Sequence, residues 1–257
     1  MPDFDSMFLL FILIGFFAQL VDGALGMAFG VISSTCMTVI LGLPPATVSA
    51  SIHTVEVFTT GASGLFHISY KNIDKKLFLR LVGPGVIGGV IGAYFLSGFP
   101  GDKIKPFIVA YLAIMGVMII VRALRRRKLR AVAEGASHAG PYVAPIGLFG
   151  GFLDAVGGGG WGPIVTTNLI VRGESPRHVI GTVNLAEFFV TSAVSATFMF
   201  AGGLAFHKMT LGLLIGGVVA APLAAYLVRF IPEKRLMLLV GGLIVATSLY
   251  QLWTLLT

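Results

Sequence analysis

Four acidic residues lie inside long apolar stretches of this sequence: Asp22, Glu56, Asp154 and Glu187. An ionisable side chain at membrane depth is costly, and where one occurs it is expected to handle a proton, an ion or a substrate. The four form two related pairs. Asp22 and Asp154 each stand in a glycine-rich segment, residues 15–30 and 147–162. An offset of 132 residues relates Asp22 to Asp154, and also Gly15 to Gly147, Gly26 to Gly158, Phe29 to Trp161 and Gly30 to Gly162. Glu56 and Glu187 match with a shift of one residue. Each has a hydrogen-bonding side chain three positions earlier, His53 or Asn184. Residues three apart share a helix face. A histidine there can donate to an anion or pass a proton, and an asparagine can donate to an oxyanion. Interhelical hydrogen bonding is the alternative role for both.

Two acidic, glycine-broken segments in corresponding halves of an apolar chain point to a transporter's binding site. In each segment a second helical arm starts inside the membrane, with unpaired N–H groups and the positive end of a helix dipole. Glycines at that start let a ligand reach the amides, so Gly157, Gly158, Gly159 and Gly160 are the candidate anion cradle. Gly26 belongs to a thinner counterpart in the first half. Tight turning and close helix packing are the other use of such glycines. For Asp22 and Asp154 the competing roles are ion handling and capping of the second arm. Ser33, Ser34 and Thr166 lie on the second arms as candidate substrate contacts. Trp161 either walls the pocket or packs in the core. Glu56, Glu187, Asp22 and Asp154 are the candidate proton carriers.

The elements that must hold these residues are membrane helices. Of 257 residues, 56% are hydrophobic and 11% charged, and the mean hydropathy is +0.93. Such a chain is a polytopic membrane protein rather than a soluble one. The net charge of +7 suits nucleic acid in a soluble protein, but here the basic residues sit in short loops and report orientation instead. Cys36 is alone and forms no intrachain disulfide. The acidic start, Met1 to Ser6, lacks a signal peptide's basic region, so Met7 onward is expected to be mature structure.

Residues 7–43 are apolar throughout, and one helix of that length would run about 55 Å against a hydrocarbon core of about 30 Å. The segment is therefore expected to be broken, at Asp22-Gly23. Spans are expected over 46–70, 77–99 and 106–121, then a broken segment over 142–171 and spans over 178–201, 209–229 and 236–256. Gly85, Gly88, Gly89 and Gly92 share one face of their span, where helices can approach closely. If each broken segment enters and leaves on one side, 15 of the 18 lysines and arginines fall on one side of the membrane. Four simple spans per half would place only 11 there, so re-entry is preferred. The expected fold is all-α and polytopic, with two inverted repeats, each a re-entrant broken hairpin plus three transmembrane helices. Residues 1–122 form the first repeat, 123–141 a cytoplasmic basic linker, and 142–257 the second repeat.

With Asp-x-x-Gly-Gly-Gly-Gly at 154–160, Gly181-Thr182 and the duplicated element order, the chain resembles the TauE/SafE family of sulfite and organosulfonate exporters, also called toluene sulfonate uptake permeases. The resemblance covers nearly the whole chain. The first segment departs from the pattern with Gly-Ala-Leu-Gly, as does Val183 where serine is expected. The resemblance implies a multi-pass carrier in the plasma (inner) membrane for a small sulfur oxyanion or organosulfonate, usually exporting it. No P-loop is present, so ATP is not the direct drive. No cofactor and no resident metal are expected. The expected partners are the anion and the lipid bilayer, with a homodimer left open and nucleic acid excluded. The alternative is a divalent metal-cation transporter that uses the intramembrane Asp, Glu and His residues. An intramembrane hydrolase ranks last, because the chain has neither His-Glu-x-x-His nor Gly-x-Ser-x-Gly.

The charge asymmetry predicts that both termini lie outside and that residues 122–130 are cytoplasmic. Reporter fusions at each end test this, and a cytoplasmic C-terminus would remove the inverted-repeat arrangement.

Overall fold

A computed structural model describes residues 4–25, 27–124, 140–172, 174–202, 208–227 and 233–256. Most of the basic linker and Gly26 lie outside these described residues. Every regular element among them is a helix, as the hydropathy requires of a chain that must satisfy its backbone without water.

Helix α1 (Phe4–Leu25) is followed after a short break by α2 (Phe29–Ser34), which continues as a π-helix, Thr35–Ile40. The break thus falls after Leu25 and not at Asp22-Gly23. The helix runs on past Asp22 because that carboxylate serves the arm that follows. Helices α3 (Pro45–Ser69), α4 (Lys75–Gly98) and α5 (Gly101–Leu124) complete the first half. The second half has α6 (Val143–Gly157), a π-helical turn Gly162–Thr166 running into α7 (Thr167–Val171), then α8 (Pro176–Gly202), α9 (Lys208–Leu227) and α10 (Glu233–Leu256). Local signals set the boundaries. Pro45 begins α3 at a position where a missing N–H costs nothing. The Asp74 carboxylate accepts from the N–H groups of Lys76 and Leu77 and so starts α4. Four described helices are long and apolar enough to cross a membrane: 75–98, 101–124, 178–201 and 234–255. Of the arms that lead into the breaks, α6 has 15 residues and α1 has 22.

Helix pairing is unchanged when the halves are exchanged. Helix α1 packs on α9 and α6 on α4, while α5 pairs with α10 and α3 with α8. The repeat extends to single contacts. Gly15 lies against the Leu213 backbone, and Gly147 against the Leu81 backbone, each partner again 132 residues from its counterpart. On α4, Gly88 and Gly92 take the backbone of α6 at Leu148 and Phe152, whereas Gly85 and Gly89 take Trp161, Val190 and Val194. The glycine face expected from spacing is thus where α4 meets both the second broken segment and α8.

The ends of the second broken segment lie side by side. The Tyr142 hydroxyl donates to Glu174 Oε1 (3.0 Å), and the Arg172 guanidinium lies 4.8 Å above the Tyr142 ring. The chain therefore enters and leaves at one end of the bundle. At the 71–74 turn, the Asp74 N–H donates to Thr182 Oγ1 (2.9 Å), near the start of α8.

Candidate functional site

Helix α6 ends at a tip built for backbone contact. The Asp154 carbonyl accepts from the N–H groups of Gly158 (2.9 Å) and Gly159 (3.1 Å). Gly158, Gly159 and Gly160 then hold φ values of 68°, 144° and 154°, a region that side chains disfavour. The chain re-enters helix at Trp161, whose N–H donates to Asp154 Oδ1 (2.9 Å). In the first half, the Phe29 N–H donates to Asp22 Oδ1 (3.2 Å). Ala28, the counterpart of Gly160, also has a positive φ, 113°. Each aspartate therefore caps the second arm of its own broken segment, across the same seven-residue span.

The two tips touch. A side chain on Gly30 would meet the Gly159 Cα and the Gly158 carbonyl oxygen, and one on Gly159 would meet the Gly30 and Val31 backbone. Around this contact Ser34 Oγ donates to the Gly157 carbonyl (2.7 Å), Ser49 Oγ to the Ala155 carbonyl (2.5 Å), and the Tyr111 hydroxyl to the Gly159 carbonyl (2.8 Å).

The other Asp154 oxygen, Oδ2, lies 3.1 Å from His53 Nε2, and both side chains are buried. His53 Nδ1 lies 2.7 Å from the Ser49 carbonyl oxygen. A carbonyl only accepts, so Nδ1 carries a hydrogen. The Nε2–Oδ2 contact then requires one further proton, held by the imidazole or by the carboxyl. The pair is a single neutral unit joining α3 of one half to α6 of the other.

Beside the tips lies a cavity of about 30 Å³, room for one or two waters in that measure. Asp22, Glu56, Asp154 and Glu187 all line it, together with Thr59, Thr60, Asn184 and Gly160. The four acids come from α1, α3, α6 and α8. Glu56 is 6% exposed, and among the described residues nothing hydrogen-bonds its Oε2. Both glutamate turns are braced alike. Thr60 Oγ1 donates to the Glu56 carbonyl (2.5 Å), and Thr191 Oγ1 to the Glu187 carbonyl (2.8 Å).

Several sequence candidates stand elsewhere. Gly157, Gly158 and Gly159 do not line the cavity. The amides of Gly158 and Gly159 bond the Asp154 carbonyl, and these glycines serve backbone packing at the tip. His53 is turned to Asp154 with both ring nitrogens engaged, so it does not face an anion. Trp161 is fully buried, and its Nε1 donates to the Val183 carbonyl (3.2 Å). It packs in the core. Ser34 bonds the opposite tip, while Ser33 and Thr166 are buried away from the cavity lining. Gly160, Asn184 and the four acids are brought together, although Asn184 Nδ2 donates to its own helix at the Ile180 carbonyl (2.9 Å). Sequence reasoning missed Thr59 and Thr60, which the spacing from Glu56 could have marked as its helix-face neighbours. It also missed Ser49 and Tyr111, for which no local pattern exists.

The family model for the sulfite exporter TauE/SafE matches residues 11–251. The probable membrane transporter protein YtnM of Bacillus subtilis (strain 168) is 42% identical over 245 residues, covering 93% of this chain and 81% of that protein. No solved structure matches.

A methyl group at Gly159 must occupy a positive φ and overlap the opposite tip. The variant Gly159→Ala is expected to lose about 1–3 kcal/mol from the backbone conformation alone, and more from the overlap. Its melting temperature in detergent should fall well below that of Gly83→Ala, where no atom stands near the new methyl group. Equal melting temperatures would mean that the tips do not touch.

Proposed function

We propose proton-coupled secondary transport of a small sulfur oxyanion for this chain, which belongs to the TauE/SafE sulfite exporter family and is a multi-pass membrane transporter, not an enzyme. The observation that carries the coupling is the convergence of four acids from both halves on one small cavity, with Glu56 Oε2 unpartnered among the described residues. Such a cavity has no charge balance of its own, and protons supply it. Glu56 and Glu187 are the proton carriers, each at mid-length in its helix. Asp22 and Asp154 take part from the capping positions, and Asp154 shares its proton with His53.

Sulfite is the substrate that the family description supports, and an organosulfonate is a related candidate. Export is the direction. Protonated acids remove the repulsion that an anion would otherwise meet, so loading with protons precedes passage of the anion. The cavity is too small for the substrate in this closed arrangement, and the glycine-packed tips must part to admit it. The exchange symmetry of helix pairing, with the re-entrant second segment, supports two inverted repeats that rock about this contact. Residues 1–122 and 142–257 are those repeats. The orientation that places 15 of 18 basic residues on one side makes the linker cytoplasmic.

The metal-cation alternative is less well supported. Among the described residues no three His, Cys, Asp or Glu side chains are placed to hold one ion, and His53 and Asp154 are engaged with each other.

In proteoliposomes, Glu56→Gln and Glu187→Gln should retain sulfite exchange at equal pH but lose at least about nine-tenths of the accumulation driven by a pH gradient. Glutamine keeps the shape and most hydrogen bonds but releases no proton. Unchanged pH dependence in both variants would sink the coupling role of these glutamates.

A further inference from the structure

We infer that Asn184 is a positioning residue for Asp22 in the opposite-facing state of the transporter, an assignment that rests on the inverted-repeat reading above. Its basis is a clasp that one half makes and the other leaves open. His53 Nδ1 donates to the Ser49 carbonyl four residues back (2.7 Å), while its Nε2 lies 3.1 Å from Asp154 Oδ2 on the tip of the other half. Asn184 and Ile180 are the counterparts of His53 and Ser49, at the offset that relates Glu56 to Glu187. Asn184 Nδ2 likewise donates to the carbonyl four residues back, at Ile180 (2.9 Å). The likeness stops there. Among the described residues Asn184 makes no bond to Asp22, the counterpart of Asp154, although both line the acidic cavity.

The parts of a second clasp are in place. An amide nitrogen carries two hydrogens. One goes to the Ile180 carbonyl, which leaves one for another acceptor. Asp22 is prepared as Asp154 is. Its Oδ1 accepts from the Phe29 N–H, just as Asp154 Oδ1 accepts from the Trp161 N–H. The matching oxygen, Oδ2, is the one that Asp154 presents to His53 and that Asp22 would present to Asn184. Inverted repeats related by a pseudo-two-fold axis rock against each other. Contacts that one half makes on one side pass to the other half when the rock reverses. His53 then releases Asp154 as Asn184 takes Asp22. Each clasp favours one state, so removing either shifts the population toward the state that the other holds.

The first test needs no substrate and uses the full-length protein in liposomes, with Cys36→Ser removing the one native cysteine. Asp22→Cys with Asn184→Cys should form a disulfide under mild oxidant, about fivefold faster or more once His53→Ala removes the existing clasp. No disulfide, or a rate indifferent to His53, overturns the assignment. The second test leaves Asp22 intact. Asn184→Ala should slow sulfite exchange at equal pH by about tenfold or more, the worth of a hydrogen bond to a charged group. Its melting temperature in detergent should stay within a few degrees of wild type, because here the side chain bonds only its own helix. Adding His53→Ala should restore most of the lost rate, since neither state is then favoured. A rate that stays low or falls further overturns the clasp in favour of direct substrate contact by Asn184. A cytoplasmic C-terminus removes the repeat arrangement and this assignment with it, whereas a missing disulfide with both termini outside overturns the assignment alone.

Discussion

The rest of the structure depends on the hydrogen bonds made by Asp154. Its carbonyl ends α6 by accepting from Gly158 and Gly159, and its carboxylate starts the second arm through the Trp161 N–H. The remaining carboxylate oxygen meets His53 on α3. One residue thus sets the end of a helix, the path of the tip, the start of the next arm and a tie to the other half. Each partner would otherwise be a buried polar group without a bond, at about 1–3 kcal/mol apiece. The tip is placed where it is because any other path leaves several of these groups unsatisfied at once.

The two halves share this scaffold and then diverge. Asp22 caps Phe29 across the same seven residues, and Ala28 repeats the unusual backbone of Gly160. However, His53 and its counterpart Asn184 do different work. His53 crosses to Asp154, whereas Asn184 bonds a carbonyl of its own helix and lines the cavity. In the second half the glycine run serves the contact between the tips. There the tip meets Gly30 backbone to backbone, and the chain must hold three positive φ values in succession.

Much of this was legible in the sequence. An offset of 132 residues, read from glycines, aspartates and aromatics, located both broken segments, and the glycine face of α4 was where spacing put it. Capping was one of the two roles open to the aspartates, and the geometry realises it. What could not be read was the use of each amide and ring nitrogen. Glycines beside a helix start suit an anion cradle and a tight backbone contact equally well, and the choice depends on a tip more than 120 residues away. His53 shares a helix face with Glu56, so local spacing grouped them, but the long-range partner Asp154 claimed the imidazole. Arg122 was counted with the basic run 122–130 because five more basic residues follow it within eight positions. Its long side chain folds back to Met27 and Thr167, which no periodicity records.

An acid-lined cavity contradicts an anion path only if both are charged in the same place at the same time. With the coupling proposed above, protonation separates them in time, since a neutral carboxyl donates a hydrogen bond that an anion can accept. On the reading proposed above, the same four groups repel the substrate when ionised and bind it when loaded. Coupling then needs no separate proton channel: the substrate site closes to anions whenever its protons leave. The symmetry of the fold gives each half one glutamate and one aspartate for this purpose. The asymmetry, among the described residues, gives Asp154 and not Asp22 a histidine partner.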